Sequence, residues 1–258
     1  MTDAAVGAVT RGTTAARRLR RVDRWLFAAH PGVVRRPSLV VVDLGFGERP
    51  TTTIELAGQL RRINPTARVV GLDISVDRVV AAQRFAGPGL EFAVGGFELG
   101  GRRADIVRAL NVLRQYDEAD VLPSWLRIQS QLTPGGLLVE GTCAETGRLG
   151  SWVAVDETGP RTFTLAVDLA APPSAVAARL PKALIHRNVP GEPIHRLLEE
   201  LDAAWQTHAA LRVFGRRQRF AASVRDLRTA GWPLVDGPGR WRRGEATFAW
   251  RAVMGVDH

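Results

Sequence analysis

At 258 residues the chain has room for one large α/β domain or one domain with a modest cap, and 45% hydrophobic against 24% charged residues supply a real core. The single cysteine, Cys143, excludes an intrachain disulfide framework, and no Cys/His cluster has zinc spacing. The formal charge of +9 is carried almost wholly by arginine, because Lys182 is the only lysine.

That charge is unevenly placed. Residues 1–36 hold eight arginines against Asp3 and Asp23, and residues 212–258 hold ten against four acids. The stretch between them, with 17 basic and 20 acidic residues, is mildly acidic. Two basic flanks suit contact with a polyanion, and equally suit solvated helix faces. No apolar run reaches the ~18 residues of a membrane span. The N-terminus turns arginine-rich before any apolar stretch, unlike a signal peptide. A soluble, reducing, cytoplasmic setting is expected.

In chain order, residues 1–13 are small and polar and are expected to be loosely held. From Thr14 to His30, Leu19, Val22, Leu26 and Ala29 fall at helical spacing, and Pro31-Gly32 ends the helix. Residues 1–36 thus read as a basic segment and helix, ahead of a domain over 37–258. The β-branched run Ser38–Asp43 reads as a strand buried on both faces. A helix over Thr52–Ile63 follows, with Thr52 and Glu55 at capping-box spacing. Strands at Arg68–Asp73, Leu90–Val94, Asp105–Leu110 and Leu137–Thr142 alternate with helices at Val76–Phe85 and Asp117–Leu132. That rhythm predicts a doubly wound, mostly parallel Rossmann-like sheet. After Gly150 the pattern changes. Ser151–Asp156 and Thr162–Leu169 predict a β-hairpin, helices are expected over 174–180, 193–212 and 218–230, and a last strand over Thr247–Val253. Residues from about 170 to 258 are additions to the sheet.

The segment Val40-Val41-Val42-Asp43-Leu44-Gly45-Phe46-Gly47-Glu48 carries the most chemistry. Gly45 and Gly47 permit a tight turn and the close approach of a ligand. Asp73, ending the next strand, is placed to accept hydrogen bonds from a ribose, a geometry common to nucleoside cofactors. Asp43 lies where it can meet a cationic amino group or the water around it, whereas a pyrophosphate would gain nothing from it. Arg49 and Pro50 follow the glycines, so the third glycine of G-x-G-x-x-G is missing and the helix start suits a pyrophosphate poorly.

Here the sequence resembles class I S-adenosylmethionine-dependent methyltransferases. The likeness runs over about residues 38–142, through Asp43-Leu44-Gly45-Phe46-Gly47, Val70-Gly71-Leu72-Asp73, Phe92–Phe97, Ala104–Leu113 and Leu132–Val139. It implies S-adenosyl-L-methionine as cofactor, with Gly45 and Gly47 beside its methionine portion and Asp73 at the ribose. It further implies Phe97 near the adenine and the backbone of Leu110 and Asn111 near the reactive methyl. Asp43, Phe46, Ile74 and Gly96 complete the expected cofactor-binding set. Gly96-Phe97 stands where the family usually has an acid that meets the adenine amino group.

The acceptor is not written in any motif. Candidate catalytic groups are Tyr116, just after the fourth strand, and His186, in a Pro/Gly-rich loop with His195 beyond it. Glu140 and Glu145 are candidates to bind a cationic or hydroxylated acceptor, and Cys143 is expected to be a small buried residue. The acceptor is expected under a lid formed by the N-terminal helix and residues 174–230. The acidic centre favours a small-molecule acceptor, and no membrane partner is expected. An RNA acceptor held by the arginine flanks and a non-catalytic Rossmann scaffold are the rival readings.

Overall fold

The structure, a computed structural model, describes residues 5–9 and 15–255. The β-branched run after Leu39 forms β1 (Val40–Leu44), flanked by β2 (Arg68–Asp73) and β4 (Ala104–Leu110). With β3 (Leu90–Val94) and β5 (Leu132–Cys143) they make a parallel half-sheet in the order β3-β2-β1-β4-β5. The helices Thr51–Arg61, Val76–Ala82 and Val121–Gln129 supply crossovers, which parallel pairing requires. The strand order reverses between β1 and β4, and the carboxyl ends there form the crevice where open α/β sheets take ligands.

Beyond β5 no helix intervenes. The chain turns at Gly147 (φ 66°) and returns antiparallel as β6 (Gly150–Asp156), then β7 (Gly159–Ala166). The last strand, β8 (Glu245–Ala249), pairs antiparallel with β7 and completes an eight-stranded, Rossmann-like sheet in which five strands are parallel.

Period-two alternation sorts the side chains to two faces. Val42, Val70, Val107, Leu138, Phe163 and Leu165 face one helical layer, which includes Trp125, Leu197, Leu201 and Phe220. Val41, Val69, Ile106, Val139 and Trp152 face the other, closed by Leu56 and Leu60 and by Val22, Trp25 and Leu26 of the first helix (Arg20–Ala29). The N-terminal helix and most of residues 174–230 cover opposite faces, with Arg217 reaching a cleft lined by Arg20 and Arg24; neither segment lines the crevice at the switch point, so the lid expected from the sequence is not formed there. No helix among the described residues is long and apolar enough to cross a membrane.

Several local expectations are corrected. The first helix begins at Arg20, and Thr14 lies outside the described residues. The Thr52–Glu55 capping box is absent: Pro50 occupies the N-cap, and the Glu55 carboxylate accepts from the Arg17 backbone N–H at 2.9 Å. The helix expected over 193–212 is Pro193–Thr207 followed by a 3₁₀ turn. The last strand ends at Ala249, and Arg251–Met254 is a helical turn. Of the segment expected to be loose, residues 1–4 and 10–13 lie outside the described residues, while residues 5–9 are held by hydrogen bonds set out below.

Candidate functional site

The loop after β1 turns where the sequence places its glycines. Gly45 and Gly47 have φ of 69° and 80°, a region that penalises any residue with a Cβ. The Gly45 N–H donates to the Leu72 carbonyl at 2.7 Å, tying the turn to β2. Asp73, buried at the end of β2, accepts from the Gly47 N–H and from the Ser75 N–H, each at 3.0 Å, and pairs with Arg78 at 3.4 Å. The glycine turn and the Asp73 carboxylate thus form one fixed unit at the switch point, and Ile74 lines the groove beside them.

Across the groove, Phe97 is buried and its ring lies 5.4 Å from the ring of Tyr116. The Phe97 backbone N–H points into the groove as a donor, and Glu98 next to it supplies an acceptor carboxylate. Glu98 accepts from the Gly96 N–H at 2.7 Å. Burial alone would raise its pKa, yet backbone N–H groups of Gly96, Val6 and Gly100 hold the carboxyl below its ordinary value.

Residues 5–9 fill the groove between these walls. The Phe97 N–H donates to the Val6 carbonyl at 3.0 Å, and the Val6 N–H donates to Glu98 at 2.9 Å. The Tyr116 hydroxyl accepts from the Ala8 N–H, and Gln115 donates to the Ala8 carbonyl at 3.1 Å. The void left among Val6, Gly7, Gly45, Asp73, Phe97 and Tyr116 is about 20 Å³, room for about one water.

Asp43 does not face this groove. It is the register partner of Arg108 on β4, and alternation sends both side chains to the face covered by the first helix. Arg108 is fully buried and bidentate on Asp43, at 2.8 Å for each bond, and it meets Asp23 of the first helix at 2.5 Å. Thr53 donates to Asp43 at 2.6 Å. The expectation that Asp43 meets a ligand's amino group is therefore corrected: its oxygens are bound inside the layer. Burial pushes the Asp23 carboxyl up to about 6, against the pull of Arg108 and with Asp43 adding to the rise. Burial would lower the Arg108 guanidinium, but the two carboxylates outweigh it and hold it above its ordinary value.

The remaining sequence candidates separate. Phe46 is buried edge-on to Phe92, with ring centroids 5.4 Å apart, and Leu110 is buried at the end of β4. Asn111 adopts φ 63°, an uncommon conformation for a non-glycine residue. Its side chain is tied to the end of β5, accepting from the Cys143 N–H at 3.0 Å and donating to Cys143 Sγ at 3.3 Å. Gly96 and Tyr116 line the groove, whereas His186 is exposed after the short helix Lys182–Ile185 and does not line it. His195 bonds Asn188 at 3.1 Å and Glu199 at 3.3 Å on the surface. Glu140 is buried in mid-strand, where it cannot meet an acceptor, Glu145 is exposed, and Cys143 is buried as expected.

Three features escaped the sequence reading: Arg108, Glu98 and the seating of residues 5–9. Arg108 carried a signal, since a lone arginine inside the apolar run Ile106–Leu110 demands a buried acid. Glu98 stands one residue past Gly96-Phe97, where the resemblance places an acid.

No protein-family model matches the chain, and no curated protein matches it. Among solved structures, the magnesium protoporphyrin IX methyltransferase of Synechocystis PCC 6803 with bound SAH is 26% identical over 48% of this chain and 53% of that one, with a TM-score of 0.38. Human N-acetylserotonin methyltransferase in complex with SAM is 20% identical over 48% of this chain and 34% of that one, with a TM-score of 0.37. The putative methyltransferase complex with the Trm112 activator of Haloferax volcanii is 21% identical over 50% of this chain and 62% of that one, with a TM-score of 0.34. The match spans about half of the first of these chains. Activity and substrate accordingly rest on this chain's own residues.

Proposed function

We propose that the groove at the ends of β1, β2 and β3 binds S-adenosyl-L-methionine and that the protein is a methyltransferase. One observation carries the reading. The Phe97 N–H and the Glu98 carboxylate form a donor–acceptor pair, now satisfied by the carbonyl and N–H of Val6. An adenine offers the same complementary pair, a ring-nitrogen acceptor beside an amino donor. Asp73, tied to the glycine turn, stands where a ribose would present its hydroxyls. The cofactor supplies an already activated methyl sulfonium. The chain's own task is to orient the acceptor and exclude water, with Tyr116 and the strained Asn111 loop beside the groove. Residues 5–9 occupy the adenosyl position in this arrangement, so cofactor entry requires them to withdraw.

The acceptor is read as a small molecule, in a reducing, cytoplasmic setting. RNA is the rival acceptor, drawing on the basic flanks. The cleft those flanks share has no aromatic side chain among its lining residues for base stacking, which favours the small molecule. Titration calorimetry with S-adenosylmethionine, S-adenosylhomocysteine and NADH tests the site. Both sulfur ligands should bind, NADH should not, and Asp73→Ala should lose at least tenfold in affinity while staying folded. Wild-type affinity in that variant, or no binding to folded wild-type protein, would reject the assignment in favour of a non-catalytic scaffold.

A further inference from the structure

The two basic flanks, more than 170 residues apart in sequence, meet in space. We propose that the cleft they form is a binding site for a small ligand carrying two or more phosphate groups. Its walls come from four parts of the chain: Arg20 and Arg24 of the first helix, Arg148 after β5, Arg217 of the helix Arg216–Thr229, and Arg243 before β8. The cleft encloses about 890 Å³, within the range of cofactor-sized sites.

The charge in it is not neutralised from within. None of these five exposed guanidinium groups has a carboxylate within ion-pair distance among the described residues. The cleft's acids are Asp168 and Glu245, and Glu245 is committed to Arg21 at 3.1 Å and Arg240 at 3.0 Å. Gathering like charges raises the free energy of the folded state unless an anion offsets it.

The walls are also fixed in place. The half-buried Arg21 donates to the carbonyls of Arg148 and Val167 at 2.6 and 2.9 Å, and to those of Arg243 and Gly244 at 2.7 Å each. One guanidinium thus joins three backbone segments that present arginines or border them, which preorganises the cleft for an incoming anion.

The chemistry selects the ligand. Guanidinium forks bind phosphate oxygens in pairs of parallel hydrogen bonds, and several forks around one cleft suit adjoining phosphates better than a single charge. The absence of a ring among the lining residues removes the stacking platform that single-stranded nucleic acid uses. Leu169, only partly buried, offers apolar surface for the remainder of the ligand. The cleft opens at the same end of the strands as the nucleoside groove, because Arg148 follows β5, Asp168 follows β7 and Arg243 precedes β8. The inference stands independently of the methyltransferase reading.

The test uses the full chain with inorganic tripolyphosphate, pyrophosphate and phosphate, by titration calorimetry at about 0.15 M salt, where exposed pairs farther apart than ~8 Å are screened. We expect one tripolyphosphate per chain, bound more tightly than pyrophosphate and far more tightly than phosphate. Arg20→Ala with Arg217→Ala should weaken it at least tenfold. The remote surface change Arg127→Ala should leave it unchanged, with thermal unfolding confirming that each variant is folded. If the double alanine variant does not fold, Arg20→Lys with Arg217→Lys keeps the charge and should still weaken binding through loss of the forks. No saturable binding, or equal losses at Arg127, would overturn the proposal. A single-stranded RNA that binds the cleft and is not displaced by tripolyphosphate would overturn it in favour of nucleic acid. S-adenosylmethionine titrated separately into the double variant should bind as in wild type, so the two sites fail or stand apart.

Discussion

Replacing Glu140 by glutamine should stabilise the protein at alkaline pH and leave it nearly unchanged at pH 5. Glu140 lies in mid-β5, 1% exposed, with its Oε2 lacking a hydrogen-bond partner among the described residues. Burial pushes its carboxyl up to about 8 from an ordinary 4.5, and the Trp125 indole offsets only part of that rise. The folded protein therefore holds this proton where the unfolded chain has released it. Stability contributed by the site is complete below the ordinary value and is lost as pH rises toward 8. The loss runs at about 1.4 kcal/mol per pH unit, or about 5 kcal/mol across the whole window. Glutamine matches the shape of the protonated acid and does not titrate. Urea unfolding of both proteins at each pH from 5 to 9 measures the difference, in which other groups cancel. The gap should open steadily between pH 5 and 8 and then level off. Parallel stability curves would refute the reasoning, showing that water reaches Glu140 in the native state.

Two further outcomes follow from the site. Arg108→Ala leaves Asp23 and Asp43 buried without their cation and should cost about 3–5 kcal/mol in unfolding free energy. A loss below about 1 kcal/mol by urea titration would mean that the cluster is hydrated. Removing residues 1–9 frees the donor of Phe97 and the acceptor of Glu98, so S-adenosylmethionine should bind at least threefold more tightly in calorimetry. Weaker binding would show that the segment belongs to the cofactor site instead of competing with it.

The parallel half of the sheet was legible because each strand is a short apolar run closed by glycine, proline or an acid, signals that act within a few residues. The same pattern located Asp73 and both glycines of the turn. It did not tell which way Asp43 points, since that depends on the face β1 turns toward the first helix and on Arg108 standing beside it in register. Nor could local patterning show Val6 reaching Glu98 or Ala8 reaching Tyr116, contacts that span 92 and 108 positions. The arginine excess at both ends was visible in the composition, but their convergence depends on β8 pairing with β7 beside the first helix.

The Arg21 contacts also bear on how the chain is made. The first helix is synthesised well before its partners, for Arg21 finds its carbonyls at 243 and 244 and its carboxylate at 245 only after 222 to 224 further positions. Trp25 likewise packs beside Trp152 and meets Thr247, so its indole has no complete seat until the last strand exists. Such closure over more than 220 positions is slow to form, and a nascent chain carrying an unplaced amphipathic helix is exposed to aggregation meanwhile. Ribosome-bound chains that stop before β8 should therefore hold a collapsed parallel half-sheet with an undocked first helix, which seats only once β8 pairs with β7.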